Sequence, residues 1–316
     1  MNIVFLGNFG VSYSSENHHA ATLRALGHEV IALQEGRVNA KDVMQVAISS
    51  DLFVWVHTHG WETEGNMVAV LDYLKGAGIP SLTYHLDLWL GLERQKDLAA
   101  DSFYQHIEHF FTVDKLMADW FNENTSVKGH YLPAGVFEPE CQMYVDNGQT
   151  RDIIFVGSKG YHPEWPYRPQ LIDWLKSTYG ERFTHVGGDG EIPTTRGAAL
   201  NRLYRDSKIV IGDTLCKGFD YPYYLSDRIF ETTGRGGFIV HPKIEGLEKL
   251  FHADSGPNQE IATYDFGNFD QLKIIIDHYL SHDEEREAIR LRGHERTKRD
   301  HTYTSRWKTI LTEIGK

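Results

Sequence analysis

Apolar positions open the chain as a short burst at residues 3–6, continue at helical spacing through Ala20, Ala21, Leu23 and Leu26, and tighten again over 29–33. That change of period predicts strand, helix, strand. Ser14 or Ser15 offers an N-cap oxygen and Gly27 a stop, so the opening forty residues read as a βαβ unit. The nearly all-apolar run 52–56 has the look of a strand covered on both faces. Val68, Leu71 and Leu74 then form a helical stripe ending near Gly76 and Gly78, and a strand follows at 79–84. Residues 109–113, 115–121 and 129–132 read as strand, helix and short strand before Pro133-Ala134-Gly135. The pattern predicts an open parallel sheet with helices on its faces.

The periodicity lapses over 138–150, where Pro, Glu, Asp, Asn and Gly accumulate, and a second alternating series then begins. Strands are predicted at 152–156, 183–186, 209–211 and 238–240, with helices at 169–178, 200–204 and 227–233. The tail is helical, with one stripe at Ile275, Ile276, Tyr279 and Leu280 and another at Trp307, Ile310, Leu311 and Ile314. The expected organisation is an N-terminal Rossmann-like domain at 1–137, a linker at 138–150 and a C-terminal Rossmann-like domain at 151–300. A last helix at 301–316 is expected to return to the first domain.

Composition narrows the class. With 316 residues, 41% apolar, 24% charged and 12% aromatic, the chain has the profile of a soluble globular protein of about two domains. Cys141 and Cys216 stand too far apart in sequence to suggest a disulfide framework or a cysteine-based zinc site. The start MNIVFLGNFG lacks a basic leader, and no stretch approaches the ~18 apolar residues of a membrane span, so a cytoplasmic protein is expected. A formal charge of -12 argues against a surface that grips polyanions throughout.

Two parallel α/β domains joined by a short linker are expected to bind ligand in the cleft where the carboxyl ends of their sheets face each other. Glycine-bearing loops follow predicted strands at Gly7-Asn8-Phe9-Gly10, at Gly157-Ser158-Lys159-Gly160 and at Gly187-Gly188-Asp189-Gly190. Each is either a phosphate cradle or a tight strand-to-helix turn. None has the GxGxxG spacing and no GxxxxGK[ST] occurs, so dehydrogenase and P-loop classes drop out. The densest chemistry lies in Ser226-Asp227-Arg228-Ile229-Phe230-Glu231 and the Gly234-Arg235-Gly236-Gly237 that follows. Arg228 and Glu231 stand three apart on one helix face, which suits either a surface ion pair or a diphosphate-and-ribose site.

The run SDRIFETTGRGGFIVHP, with EGLEKLF and the later HTYTSRW, resembles the spore-maturation (CgeB) type of glycosyltransferase, within the group 1/4 superfamily. LRALGHEV and YLPAGVF resemble the first helix-strand and the hinge of the same class. The resemblance implies the GT-B fold: two Rossmann-like, doubly wound parallel-sheet domains facing across a cleft, with a C-terminal helix crossing back to the first. It implies a nucleotide-sugar co-substrate, UDP-sugar favoured, with no cofactor and no metal. Carried over by position, Glu231 would bind the donor ribose. Arg228, Ser226 and the Gly236-Gly237 backbone would lie near the diphosphate, bordered by Gly157, Ser158 and Lys159. Retaining members often carry a second glutamate eight residues before the ribose-binding one, where this chain has Tyr223.

An inverting reaction needs a base for the acceptor hydroxyl. His57, His59 and Glu62 follow one predicted strand and His85 and Asp87 the next, with Asp87 the leading base and His59 and His85 beside it. His57 and His59 as a metal pair are a poor zinc pattern. The rival acceptor is DNA bearing hydroxymethylated pyrimidines, for which Arg94, Lys115 and Lys128 would supply charge and Trp55, Trp61, Trp89 and Trp120 stacking. The same residues also suit a catalytically silent sugar-nucleotide binder or a nucleotide-sugar epimerase. His301, Tyr303 and Arg306 read as structural, and the Tyr221-Pro222-Tyr223-Tyr224 string as packing or donor-site lining.

Overall fold

A computed structural model describes residues 1–58, 60–87, 101–143, 148, 150–160, 166–214 and 223–316. His59, Trp89, Arg94, Cys216, Tyr221 and Pro222 lie outside the described residues. The chain divides into two compact units, Met1–Pro133 with Tyr303–Lys316, and Ala134–Thr302.

The first unit is built on six parallel strands, β1 (Asn2–Gly7), β2 (Glu29–Gln34), β3 (Leu52–Trp55), β4 (Ser81–His85), β5 (His109–Thr112) and β6 (Lys128–Tyr131). Their order is β2-β1-β3-β4-β5-β6. Central β1 and β3 are buried along nearly their whole length, whereas Ile31 on edge strand β2 is 48% exposed. Short polar side chains start the helices. Ser14 accepts from Asn17 N ahead of α1 (Ser15–Ala25), and Asn39 and Asp42 form a capping box on α2 (Ala40–Ala47). Asn66 caps α3 (Met67–Gly76), a short α4 (Phe103–His106) follows, and Asp114 caps α5 (Lys115–Asn124).

The second unit carries five parallel strands in the order β11-β10-β9-β7-β8. They are β7 (Arg151–Val156), β8 (Phe183–Val186), β9 (Ser207–Ile211), β10 (Ile239–Pro242) and β11 (Ala262–Tyr264). Around them lie α6 (Tyr167–Tyr179), α7 (Gly197–Arg205), α8 (Asp227–Gly234), α9 (Phe269–Ser281) and α10 (Asp283–Asp300). The stretch expected as a linker contributes a 3-10 turn, Glu138–Glu140, to this unit, where Glu140 pairs with Arg235.

The last helix, α11 (Tyr303–Glu313), packs in the first unit. Trp307 is fully buried there and donates its indole N–H to His19 Nδ1 at 3.1 Å, while Arg306 Nε donates to Pro133 O at 2.7 Å. Burial pushes the His19 imidazole down to about 3, so it is neutral and can accept that bond. Among the described residues no helix is long and apolar enough to cross a membrane.

Candidate functional site

In an open parallel sheet the strand order reverses at one point, and loops leaving the carboxyl ends of the two strands there diverge to make a crevice. In the second unit that point lies between β7 and β9. Gly157 and Ser158 follow β7, Asp213 follows β9, and α6 and α8 send one arginine each to the same place. Arg228 Nε donates to Val156 O and its Nη1 to Asp213 O, both at 2.9 Å, with the guanidinium 4.9 Å from the Phe155 ring centre. Arg168 Nε donates to the Asp213 carboxylate at 2.7 Å and its Nη1 to Ser158 O at 3.2 Å.

Two arginines thus meet over one fully buried carboxylate, with Asp227 in the first turn of α8 also acting on Arg228. Burial, and then the neighbouring Arg168, push the Arg228 pKa down, a strain that a bound anion relieves. Arg228 Nη2 has no hydrogen-bond acceptor among the described residues. A Cβ on Gly157, whose φ is +143°, would stand 2.6 Å from it, so only glycine leaves this face open. Ser226 spends its hydroxyl on Asp213 O at 3.0 Å and does not cap α8, so the helix start keeps its positive end.

One turn along α8, Glu231 pairs with Arg235 at 2.6 Å and not with Arg228. Arg235 is held in turn by Glu140 and by Asn201 Oδ1. Burial raises the Glu231 pKa while Arg235 opposes the rise. The Glu231 side chain is 20% exposed and its Oε1 has no partner among the described residues, which leaves an oriented acceptor for a hydroxyl. Other expected residues are placed differently. Lys159 is paired with Asp173 at 2.5 Å. Gly236 and Gly237 lie past the far end of α8, their N–H groups donating to Thr233 O and Thr232 O, on the order of 12 Å along the helix from Arg228. Tyr223 is the one non-glycine with positive φ (62°) among the described residues, a conformation costly for an aromatic residue.

In the first unit the strand order reverses between β1 and β3. In the Gly7-to-Gly10 loop, Asn8 N–H donates to the buried Glu16 carboxylate at 3.4 Å. Beyond β3, His57 Nδ1 bonds Glu35 Oε1 and Nε2 bonds Asp101 Oδ2 at 2.7 Å. Fully buried Glu35 also accepts from Trp55 Nε1 at 2.9 Å and Thr58 N at 2.7 Å, and Asp101 from Phe103 N at 2.9 Å. Burial alone would lower the His57 pKa, but Asp101 and Glu35 on either side raise it to about 9. At neutral pH His57 is therefore an imidazolium with both N–H groups donated, unsuited to act as a base or metal ligand. His85 is buried at the end of β4 and its Nδ1 accepts from the Asp87 backbone N–H at 3.3 Å, with Asp87 half-buried. A cavity of about 800 Å³ opens beside His57, with Trp55, Trp61, Glu62, Glu64 and Asp101 in its walls.

Arg168, Asp213, Glu35 and Asp101 escape sequence reading. Their signal was position: Glu35 directly follows β2, Asp213 lies two residues past β9, Arg168 is in the first turn of α6 and Asp101 lies two residues ahead of α4. The partners that tie them into the two networks lie between 10 and 45 residues away, which no local pattern reveals.

A glycosyl transferase-like family model matches residues 168–312, beginning at Arg168 itself. No curated protein matches the sequence. Among solved structures, an α-glucosyltransferase in complex with UDP and a 13-mer DNA containing an HMU base superposes with TM-score 0.72 at 14% identity, covering 100% of this chain and 99% of that one. HepE from Anabaena in complex with UDP-glucose gives 0.65 at 13% identity and 99% of each chain. Sucrose-phosphate synthase from Thermosynechococcus elongatus gives 0.63 at 10% identity, again over 99% of each. Over residues 168–312 the sequence is similar to a glycosyl transferase-like family, and from end to end the chain shares with these structures the two-sheet GT-B fold.

Proposed function

We propose that the protein moves a hexose from a UDP-sugar to an acceptor hydroxyl in the cytoplasm, as a relative of the spore-maturation type. The observation that carries this is the convergence of Arg168 and Arg228 on the strand-order switch of the second unit, with Glu231 one turn further on. Arg228, the open Gly157-Ser158 turn and the uncapped start of α8 bear the diphosphate, and Glu231 Oε1 takes a ribose hydroxyl. The bond from C1 of the sugar to the diphosphate oxygen breaks, its electron pair leaving with UDP. The acceptor oxygen forms the new bond to C1 and gives its proton to Asp87, beside His85. Guanidinium and helix charge stabilise the leaving group, so no divalent cation is required.

A thermal-shift panel of UDP, GDP and ADP, run in EDTA, tests the donor site. UDP alone is expected to raise the melting temperature, and Glu231→Ala to abolish the rise. A Glu231→Ala variant that binds UDP like the parent sinks the assignment. Asp87→Asn is expected to cut turnover about 10²- to 10⁴-fold with UDP binding intact.

A further inference from the structure

His185, on β8, takes no part in the donor chemistry above, yet it is fully buried against the Gly157-Ser158 turn. Its Nε2 lies 2.7 Å from Gly157 O, and a carbonyl only accepts, so the ring donates there. Its Nδ1 is buried with no hydrogen-bond partner among the described residues. An unpartnered ring nitrogen costs stability at a position flanked by Phe155, whose ring centre is 5.9 Å away. A phenylalanine would fill the same place without that cost. The fold therefore has no need of an imidazole at 185, and the reason for one lies at the far side of the peptide it holds.

A trans peptide is planar, with its C=O and N–H pointing in opposite directions. By holding Gly157 O toward the core, His185 turns the Ser158 N–H to the open side of the turn, where it has no acceptor among the described residues. Arg168 treats the next peptide in the same manner. Its Nη1 donates to Ser158 O at 3.2 Å, and the Lys159 N–H likewise has no acceptor among the described residues. Gly157 N–H is spent on Val186 O at 2.8 Å, so β8 pins Gly157 through both its N–H and its C=O. The glycine loop after β8 closes on this arrangement from behind. Gly187 N–H donates to Ile192 O at 2.8 Å and Gly190 N–H to Gly187 O at 2.9 Å, so these two groups are spent within the loop. A Cβ on Gly188, whose φ is +58°, would stand 2.9 Å from Ser158 Cα.

We propose that His185 is a positioning residue for the donor: its ring holds Gly157 O on the core side and so aims the Ser158 N–H at the diphosphate oxygens, with the Gly187-to-Gly190 loop as a brace behind the turn. The proposal rests on the donor-site reading given above and adds to it the side chain that sets the direction of the turn.

Calorimetric titrations of the full chain with UDP and with uridine, beside urea unfolding, test it in His185→Phe and His185→Gln. Phenylalanine keeps the packing and removes the donor, whereas the glutamine amide nitrogen reaches about as far as Nε2. His185→Phe is expected to weaken UDP about tenfold, with uridine affinity within about twofold of the parent and a urea midpoint no lower. His185→Gln is expected to bring UDP affinity back to within about threefold of the parent. UDP binding by His185→Phe within about twofold of the parent would overturn the proposal, as would an equal loss of uridine or a His185→Gln variant no better than His185→Phe. A His185→Phe chain that fails to fold overturns it as well, because the imidazole is then needed by the fold. A parent that binds no UDP sinks the donor reading first, whereas a parent that binds UDP beside an unimpaired His185→Phe sinks this proposal alone.

Discussion

Arg228 shows how one side chain ties a site to its sheet. Its Nε and Nη1 bridge the carbonyls that end β7 and follow β9, and its remaining Nη2 faces the turn that only Gly157 leaves open. A lysine has the charge but not the planar fork, so it cannot span both carbonyls and also present a donor. Arg228→Lys is expected to lower kcat/KM for the donor about 10- to 100-fold, the equivalent of one or two charge-assisted bonds. Steady-state kinetics at varied UDP-sugar check this, and a variant within twofold of the parent would remove Arg228 from the diphosphate. Glu231 reaches its place by a different route. Sequence spacing pointed to Arg228 as its partner, yet Arg235 at the next turn takes one of its oxygens and leaves the other exposed.

The elements themselves were largely legible from period and capping, because β1, β3, α3 and α6 each bury a face whose spacing is written in the chain. Three were not. Strand β11 is only Ala262–Tyr264 and α4 only Phe103–His106, too short to show a period, and α2 hides its apolar stripe among polar neighbours. Helix α10 lies in the tail that reads as helical, although it has almost no apolar stripe. It is held by Ile289, by the buried stems of Arg286 and Arg290, and by a Thr233–Thr297 hydroxyl contact at 2.6 Å to α8, with Gly293 against Glu260 O. The chemistry was half legible for the same reason: Arg228 and Glu231 share one helix, whereas the His57 network joins residues 22 and 44 positions apart. At this scale α11 makes a sharp claim. Fully buried Trp307 closes onto His19, so Trp307→Ala is expected to cost about 3–5 kcal/mol in urea unfolding. Because α11 belongs to the first unit, UDP should still protect the second unit of this variant below its melting point. A loss under about 1 kcal/mol, the size of an ordinary surface change, would mean that the helix is not anchored there.

Over the whole molecule, buried histidines of opposite sense set the pH range in which the fold is most stable. His19, His109 and His241 are buried as neutral rings, their pKa values pushed down from 6.5 to about 3, about 4 and about 4. Below pH 6.5 the unfolded chain binds protons at these rings that the folded chain refuses, so stability falls with acidity toward pH 4. His57 runs the other way. Its pKa is raised from 6.5 to about 9, so the folded chain holds a proton that the unfolded chain releases. Its contribution is complete below 6.5 and drains away as pH climbs through 9. Urea midpoints are therefore expected to peak near pH 6.5 and decline on both sides. In His57→Gln the alkaline decline between 6.5 and 9 should flatten while the acid limb stays, because Glu35 and Asp101 lose their titrating partner and the three neutral rings are untouched. An alkaline limb of unchanged slope in that variant would show that the Glu35-His57-Asp101 chain is not an ion-paired network, and with it would go the device that holds Asp101 at the cavity wall.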